Sequence, residues 1–333
     1  DGIPADSVTR VVHVVDRTAP VIELIGEAAI EHIQGQPFTD PGVTVEDNFD
    51  QGLAAGSTAE LPRKNLWMHL DASRIPAAQP GDVLARWPDI SGNANHLSGV
   101  RGDPTLVGAA LNGKPAVRFD GDDFLAATSD VQRHYSIFTV SQLEGTDNER
   151  LISSRTSNWL LGYQNGRQDV FHPEGWATGT GSPASIAPHL YGATSTGGNS
   201  VRFYADSEDL PLTPTRNGRI LKLQLGGYRE GDESARGDVA EVLLYDKHVS
   251  TPAERLSIEA YLATKYRLLG YPEHTAPDLS RTGEHTILYV ARDSAGNYGF
   301  ATRKVTVKPD PALPVIVLEG DSPMTHEAGT PFE

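Results

Sequence analysis

The sequence LWMHLDAS at residues 66–73 and the sequence GDVAEVLLYD at residues 237–246 decide the fold of this chain. They open and close a long central region. Between them the chain is a succession of short apolar runs separated by Gly, Asn and Asp, which is typical of β-strands joined by turns. The apolar run at residues 239–245 predicts a buried strand. The residues on either side of this region have a different sequence pattern, which repeats along the chain.

The flanking sequence repeats itself at a fixed distance. Residues 19–26 read APVIELIG and residues 313–320 read LPVIVLEG. The His, Gly, Pro and Phe residues that follow each segment match at the same spacing, and residues 9–14 resemble residues 302–307 with a slip of one position. Internal similarity at a constant offset indicates a tandem array of one small domain.

One repeat is therefore predicted to be interrupted by a second domain. Residues 17–63 form its first half, residues 64–268 the insert and residues 269–310 its second half; residues 1–16 are the tail strand of a preceding repeat and residues 311–333 begin the next. Exposed turns accept whole domains because few contacts cross them. Without the insert, the repeat has the size of an ordinary immunoglobulin-like sandwich.

The two halves carry a family resemblance. Residues 16–50 read DRTAPVIELIGEAAIEHIQGQPFTDPGVTVEDNFD and residues 282–307 read TGEHTILYVARDSAGNYGFATRKVTV. Their Asp-Pro-Gly, Asp-Asn and Asp-Ser-Ala-Gly-Asn turns stand in the order of the bacterial immunoglobulin-like repeat family that also occurs in a pesticidal crystal protein, and the segments are similar to hyalin-type repeats. The resemblance implies a stalk or spacer that is extracellular or on the cell surface.

The insert resembles a different family. It carries LWMHLDAS, then RWPDISGNANHL at residues 86–97, PAVRFDGDDFL at residues 115–125 and GDVAEVLLYDKHVSTPAERLSIEAYLATKYRL at residues 237–268. In this order the motifs resemble the LamG-like jelly-roll domain of the concanavalin-like superfamily. The resemblance implies a jelly-roll sandwich. Because that fold hosts lectins, adhesion modules and some glycan-cleaving enzymes, it leaves the ligand open.

One short helix is predicted at the end of the insert. Thr251 is a candidate N-cap, Pro252 suits the first helical position and Glu254 completes a capping box. Apolar residues then recur at helical spacing, so the helix is expected to lie against the sandwich. The predicted fold class is all-β: an Ig-like β-sandwich with an inserted LamG-like jelly-roll β-sandwich that carries one short C-terminal helix.

Charge and composition exclude several functions. The 333 residues have a formal net charge of -16, and a nucleic-acid-binding face would be basic, so no nucleic-acid partner is expected. The sequence has no cysteine, which excludes disulfides and thiolate metal sites. No apolar run approaches the ~18–20 residues of a membrane span, so no membrane insertion is expected.

No catalytic residue is predicted. Glycosidases of the jelly-roll superfamily carry Glu-x-Asp-x-x-Glu on one strand, so that two carboxylates flank one glycosidic bond. The nearest match, Glu230-Gly231-Asp232, has Ala235 at the third acidic position. Neither Gly-x-Ser-x-Gly nor His-Glu-x-x-His occurs. We interpret His96, His172 and His189 as turn or surface histidines.

Two acidic clusters are candidate calcium sites, because Ca²⁺ prefers oxygen ligands of the kind that Asp- and Asn-rich turns supply. The first cluster, Asp122 and Asp123, joins two strands of the insert. The second lies next to the insertion point and comprises Asp47, Asn48 and Asp50, with Asp293 across the repeat. The alternative is that these side chains only cap their own turns through hydrogen bonds to the backbone.

An aromatic cluster is the candidate ligand-binding patch, since sugars are bound by aromatic platforms beside polar groups. Its members are Trp159, Tyr163, His172 and Trp176. Trp176 lies among glycines and is expected to be exposed. For Trp159, burial in the core is the alternative interpretation.

These observations lead to three hypotheses. The first is a non-catalytic, extracellular module for adhesion or carbohydrate binding in a large repetitive bacterial protein, with a glycan or another cell-surface polymer as partner and Ca²⁺ as candidate cofactor. The second is a structural spacer or filament subunit that self-associates through terminal strands at residues 9–15 and 314–318, since unpaired strand edges invite pairing. The third is a glycan-cleaving jelly-roll enzyme.

Overall fold

The computed structural model describes residues 9–331 except residues 60, 146–148, 198–199, 214–217, 230–232, 273, 313–316, 318 and 321. Within these residues the chain is almost entirely β-structure, with one α-helix, which confirms the all-β fold class. The strands are β1 (Val21–Leu24), β2 (Ala29–Ile33), β3 (Val43–Glu46), β4 (Ala55–Ser57), β5 (Leu66–Asp71), β6 (Arg86–Trp87), β7 (Leu97–Arg101), β8 (Thr105–Leu111), β9 (Lys114–Asp120), β10 (Phe124–Ala127), β11 (His134–Leu143), β12 (Ile152–Ser154), β13 (Trp159–Gln164), β14 (Arg167–Pro173), β15 (Ser182–Pro183), β16 (His189–Thr196), β17 (Val201–Ala205), β18 (Glu208–Asp209), β19 (Leu223–Leu225), β20 (Arg236–Tyr245), β21 (Gly283–Arg292) and β22 (Tyr298–Lys308). The helix α1 (Pro252–Tyr266) lies between β20 and β21.

Strands β5–β20 pair among themselves and form two antiparallel sheets, which with α1 we call the insert sandwich. One sheet has the order β15-β14-β13-β12-β19-β10-β7-β6. The other has the order β18-β17-β16-β11-β20-β9-β8, and β5 also pairs with β20. Strands β1–β4, β21 and β22 form a second body, the outer sandwich, in which the sheet β2-β22-β21-β4 packs against the pair β1-β3.

The main core fills the space between the two sheets of the insert sandwich. Large rings from both sheets, among them Trp87, Phe119, Tyr135 and Trp159, have no exposed surface. The indole N–H of Trp159 donates to the hydroxyl of Tyr135 at 2.8 Å, so these two buried rings are joined through their polar atoms.

Helix α1 begins where its capping residues predict. The hydroxyl of Thr251 accepts the N–H of Glu254 at 3.3 Å, and Pro252 is the first helical residue. At the other end Arg267 adopts a left-handed conformation (φ 53°), which stops the helix. Both ends are therefore set by local backbone chemistry.

A second core shows that α1 is a layer shared by the two sandwiches. Its apolar side chains contact Phe138 and Leu243 on the outer face of the insert sheet. They also contact Leu288 and Val290 of β21. Alternate residues of β21, such as Tyr289, point the other way into the outer sandwich. Because β21 is covered on both faces, its central residues are all buried.

The predicted terminal strands are not present in the described residues. Residues 9–15 form no strand, and Val12 and Val14 are exposed. In the repeat these valines match Val305 and Val307, which are buried because β22 pairs with both β2 and β21. No strand among the described residues pairs with residues 9–15. Of residues 314–318, all but Val317 lie outside the described residues, so self-association through these edges stays a prediction.

No helix in the described part of the chain is long and apolar enough to cross a membrane.

Candidate functional site

The structure divides the predicted aromatic patch between core and surface. Trp159 and Tyr163 lie on the same face of β13 and point into the space between the insert sheets, where neither has exposed surface. Their assignment as ligand-contacting residues is therefore wrong. The physical reason is the period of two in a strand, which aims both rings at the same buried face.

Trp176 and His172 remain in contact, with Trp176 exposed and His172 nearly buried beneath it. Trp176 is 50% exposed, as its glycine-rich surroundings predict. Its ring meets the His172 ring edge-on at a centroid distance of 4.9 Å. His172 is itself nearly buried, with Nδ1 2.9 Å from the carbonyl oxygen of Asn158. The predicted patch is thus reduced to one exposed indole beside a fixed histidine.

A cleft of about 490 Å³ opens between the insert and outer sandwiches. This volume lies within the ~300–1,000 Å³ of ligand pockets. The insert contributes residues of β14 and of the β17–β18 hairpin, and the outer sandwich contributes Arg292 at the end of β21 and Tyr298 at the start of β22. The polar and aromatic side chains that line the cleft include Gln168, Asp169, Asp206, Glu208, Arg292 and Tyr298.

Two carboxylates of the cleft are held in place by hydrogen bonds. Asp169 accepts the hydroxyl of Tyr191 at 3.2 Å, and Asp206 accepts the backbone N–H of Leu190 at 2.9 Å. Both aspartates have left-handed backbones, with φ of 59° and 49°. Aspartate adopts this conformation more readily than most residues. The two carboxylates therefore have fixed positions in the wall of the cleft.

The outer sandwich adds donors to the cleft. Arg292 donates through Nη1 to the carbonyl oxygen of Ser207 at 3.2 Å, and its guanidinium carbon lies 5.6 Å from the centre of the Tyr298 ring. Burial raises the pKa of Tyr298, so its hydroxyl stays protonated at neutral pH. Arg292 and Tyr298 thus bring donor groups to a cleft whose other side carries carboxylate acceptors.

Asp122 and Asp123, the first candidate calcium cluster, do not direct their carboxylates toward one common position. Asp123 turns inward, where it accepts the backbone N–H of Asp103 at 2.6 Å and of Asp120 at 2.9 Å, and burial raises its pKa. Asp122 stays exposed, with its carboxylate close to those of Asp103 and Asp120. The prediction that Asp122 and Asp123 act together is wrong, because Asp123 is used as a cap for its own turn.

The second candidate cluster does bring predicted residues together. Carboxylate oxygens of Asp47 and Asp293 lie within 4.8 Å of each other and of an oxygen of Asp16, which the sequence assigns to the preceding repeat. Asp50 does not join them, since it accepts a backbone N–H of the β21–β22 turn at 2.8 Å. Asn48 is exposed. The cluster of carboxylates is therefore Asp16, Asp47 and Asp293, the inclusion of Asp50 is wrong, and the role of Asn48 stays a prediction.

Two oxygens of this aspartate cluster lack a hydrogen-bond partner within the part of the chain that the structure describes. The backbone N–H of Asp50, followed by that of Phe49, lowers the pKa of Asp47, so this carboxylate is ionised at neutral pH. Oδ2 of Asp47 and Oδ2 of Asp16 are buried, and neither accepts a hydrogen bond from any described residue. Unpartnered buried carboxylate oxygens are costly. A hard cation such as Ca²⁺ is the kind of ligand that such an oxygen set fits.

A third acidic cluster lies buried beneath α1. His69, Asp71 and Glu241 place ligand atoms within 4.8 Å of one another. However, the ammonium of Lys265 lies 2.6 Å from Asp71 Oδ2 and 2.6 Å from Glu241 Oε2. Since a lysine already supplies the positive charge between the carboxylates, we interpret this cluster as the ionic contact that fastens α1 to β5 and β20.

Two other predictions from the sequence concern the positions of two histidines and a rejected glycosidase motif. His189 and His172 are nearly buried rather than at turns or on the surface, because they lie on β16 and β14 inside the sandwich. The rejected glycosidase motif at residues 230–232 lies outside the described residues. Among the residues described, Ala235 is buried.

Sequence reasoning missed the cleft because its walls come from distant parts of the chain. Asp169 and Asp206 belong to the insert, whereas Arg292 and Tyr298 flank a turn of the outer sandwich. None of these residues belongs to a motif of known chemistry. They meet only because α1 docks the insert against β21, and a single sequence carries no direct signal of that docking. Asp16 was missed because the repeat boundary separated it from Asp47.

Comparisons with known proteins found partial likenesses. No family model and no curated protein matches the sequence. The fourth domain of AbnA, a GH43 extracellular arabinanase from Geobacillus stearothermophilus solved with arabinotriose, matches with a TM-score of 0.39 and 12% identity, over 54% of this chain and 98% of that one. The binding domain of Paraclostridial mosquitocidal protein 1 matches with a TM-score of 0.43 and 12% identity, over 61% of this chain and 53% of that one.

A mutant Trypanosoma rangeli sialidase with trans-sialidase activity matches with a TM-score of 0.43 and 15% identity, over 63% of this chain. The match spans only 35% of the sialidase. Likeness at this level says nothing about what the present chain binds or cleaves.

Proposed function

We propose that this chain is a glycan-binding module whose binding site is the cleft between the insert and outer sandwiches. The observation that carries the proposal is the lining of the cleft, where fixed acceptors on Asp169 and Asp206 face the donors of Arg292 and Tyr298. Each sugar hydroxyl both donates and accepts hydrogen bonds, so a concave site with both kinds of partner suits it. The LamG-like resemblance of the insert, in a superfamily that includes lectins, agrees with this function.

The charge of the cleft selects among glycans. Among the described residues that line it, three carboxylates outnumber the single guanidinium of Arg292, and the whole chain carries a net charge of -16. This arrangement repels acidic sugars and favours neutral or amino sugars. An extracellular or cell-surface location, implied by the flanking repeats, belongs to the same proposal.

We further propose that binding occurs without cleavage of glycosidic bonds. A glycosidase needs two carboxylates placed on either side of the scissile bond. In the cleft, Asp169 and Asp206 already accept hydrogen bonds that orient them toward neighbouring protein groups. Incubation of the full chain with polysaccharides should therefore release no reducing sugar, and measurable release would overturn this part of the proposal.

A glycan array probed with the full chain tests the binding proposal. We expect signals from neutral or amino glycans, and we expect Arg292→Ala to lose them by ~10-fold or more because it removes the main donor of the cleft. Arg281→Ala is the matched control, since Arg281 is an exposed arginine of the outer sandwich that pairs with Asp278. An array without signal, or signals that Arg292→Ala retains, would contradict the proposal.

The cluster of Asp16, Asp47 and Asp293 favours a second function, that of a spacer stiffened by a cation. Asp16 precedes β1, Asp47 follows β3 and Asp293 follows β21. A Ca²⁺ ion bound by all three would tie the incoming segment to two turns of the outer sandwich. The unpartnered oxygens of Asp16 and Asp47 support this proposal.

Calorimetric titration with Ca²⁺ tests the cation. We expect binding by the wild-type chain and loss of binding in Asp47→Asn and Asp293→Asn. Asp122→Asn serves as control, because Asp122 belongs to the exposed cluster at the other calcium candidate. If the wild-type chain binds no Ca²⁺, or if only Asp122→Asn abolishes binding, the spacer proposal fails.

A further inference from the structure

Three side chains beside the cleft form a hydrogen-bonded chain in the order used by serine hydrolases. The hydroxyl oxygen of Ser185 lies 3.1 Å from His189 Nε2, and His189 Nδ1 lies 2.7 Å from Asp206 Oδ2. A carboxylate oxygen accepts hydrogen bonds, so the tautomer of neutral imidazole that satisfies both contacts has its proton on Nδ1 and accepts the Ser185 hydroxyl at Nε2. We propose that Ser185 is a nucleophile that hydrolyses a small carboxylic ester, of the kind an acetylated sugar carries.

The surroundings hold this chain of three in place. The His189 ring is 7% exposed and stacks on Tyr191, with centroids 5.6 Å apart and ring planes at 23°. The backbone N–H of Ser185 donates to the side-chain oxygen of Gln168 at 2.8 Å. A base oriented by a carboxylate, with a hydroxyl in hydrogen-bond reach, is the arrangement that activates serine.

The nucleophile lies next to the cleft. Ser185 is partly exposed in the loop between β15 and β16, and its supports Gln168 and Asp206 both line the cleft. A ligand bound there would contact Gln168 and Asp206, the residues that hold the Ser185 backbone and the His189 ring. The choice of a sugar ester as substrate rests on the proposed glycan binding, whereas the nucleophile itself rests only on these distances.

The reaction requires water as its only co-reactant. Ser185 Oγ attacks the carbonyl carbon of the ester while His189 Nε2 takes the hydroxyl proton. The tetrahedral intermediate then breaks its bond to the alcohol oxygen, and the alcohol leaves with the proton from His189. Water attacks the acyl-serine with His189 again as base, which releases the acid and restores Ser185. Asp206 stabilises the imidazolium in both steps.

Covalent labelling tests the nucleophile independently of any glycan. The full chain is treated with a fluorophosphonate probe, and the tryptic peptide of residues 168–202 is analysed by mass spectrometry. We expect the adduct on Ser185 and not on Ser182 or Ser195 of the same peptide. We also expect Ser185→Ala and His189→Gln to lower turnover of p-nitrophenyl acetate by ~10³-fold or more, whereas exposed Ser129→Ala leaves turnover unchanged.

Other outcomes would overturn all or part of the proposal. If Ser185 only tethers its loop, Ser185→Ala will lower the melting temperature while neither labelling nor Ser185-dependent turnover is seen, and the proposal is overturned. Circular dichroism of each variant separates loss of folding from loss of chemistry. Labelling of Ser185 in a chain that binds no glycan on the array would retain the nucleophile and remove only the sugar as substrate.

Discussion

Glu241 shows how a fully buried acid is stabilised by its partners. Burial by itself would raise its pKa, but the ammonium of Lys265 and then the ring of His69 outweigh burial and bring the pKa to about 2. The hydroxyl of Tyr266 also donates to it at 2.9 Å. A carboxyl group whose pKa is lower in the folded chain stabilises the fold above its unfolded pKa and loses that contribution as the pH falls toward the folded value.

We therefore predict an acid sensitivity that depends on Glu241. Between pH 4.5 and pH 2 the wild-type free energy of unfolding should fall by roughly 3 kcal/mol through this group. Glu241→Gln should be less stable at neutral pH and should lack this part of the pH dependence. Urea unfolding at a series of pH values measures both effects. Exposed Glu284→Gln is the control, and an identical acid profile for Glu241→Gln and wild type would refute the prediction.

Individual residues differ in how well the sequence predicts them. Trp176 was predictable because its glycine neighbours form no strand that could bury it. The neighbouring Trp159 was not, since a tryptophan on a strand faces either core or ligand depending on which side the second sheet covers. For Asp123, composition indicated a turn, but only the folded turn shows that its carboxylate is used by the backbone of residues 103 and 120.

The contact between β4 and α1 depends on a single glycine. A Cβ atom at Gly56 would lie 2.4 Å from the carbonyl carbon of Leu256 and 2.4 Å from the backbone nitrogen of Ser257. These are backbone atoms of the helix, so they cannot move without moving α1. The strand and the helix can approach this closely only because residue 56 has no side chain.

Gly56→Ala should therefore destabilise the fold by about 1–3 kcal/mol, the usual range for overpacking a core. Thermal unfolding followed by circular dichroism measures the change. Gly179→Ala is a matched control, because a Cβ atom there meets no atom within 4 Å. Equal melting temperatures for the two variants would show that the β4–α1 contact is looser than described.

Elements differ in predictability for a physical reason. The ends of α1 could be read from Thr251, Pro252 and Glu254, because capping is local chemistry. A strand at residues 9–15 could not be predicted from local chemistry in the same way. The apolar alternation there is genuine, yet a strand forms only with hydrogen-bonding partners. Val305 and Val307 have such partners, whereas no described strand pairs with Val12 and Val14.

At the scale of the whole molecule, the second core joins the insert sandwich to the outer sandwich. Phe138 and Leu243 of the insert sandwich, the apolar face of α1 and Leu288 and Val290 of the outer sandwich belong to one buried cluster. The sequence indicated two sandwiches through the repeat and the two families of motifs. It did not indicate that they share a layer, because apolar spacing in α1 identifies a buried face without saying how many partners cover it.

We accordingly predict that the chain unfolds as one cooperative unit. Differential scanning calorimetry should show a single transition whose calorimetric and van't Hoff enthalpies agree. Two resolved transitions in the wild-type chain would mean that the insert and outer sandwiches are energetically separate. Gly56→Ala, which disturbs the shared layer, is the variant in which the transition is expected to broaden.

The proposed glycan-binding cleft forms only where the two sandwiches meet. Its test must therefore distinguish binding in the cleft from binding at Trp176, the exposed residue of the aromatic patch predicted from the sequence. The most direct measurement is calorimetric titration of a neutral or amino glycan identified on the array. We predict binding by the wild-type chain, a Kd raised ~10-fold or more, equivalent to about 1.4 kcal/mol, in Asp169→Asn and Arg292→Ala, and an unchanged Kd in Trp176→Ala. Loss of binding in Trp176→Ala with full affinity in both cleft variants would contradict the account.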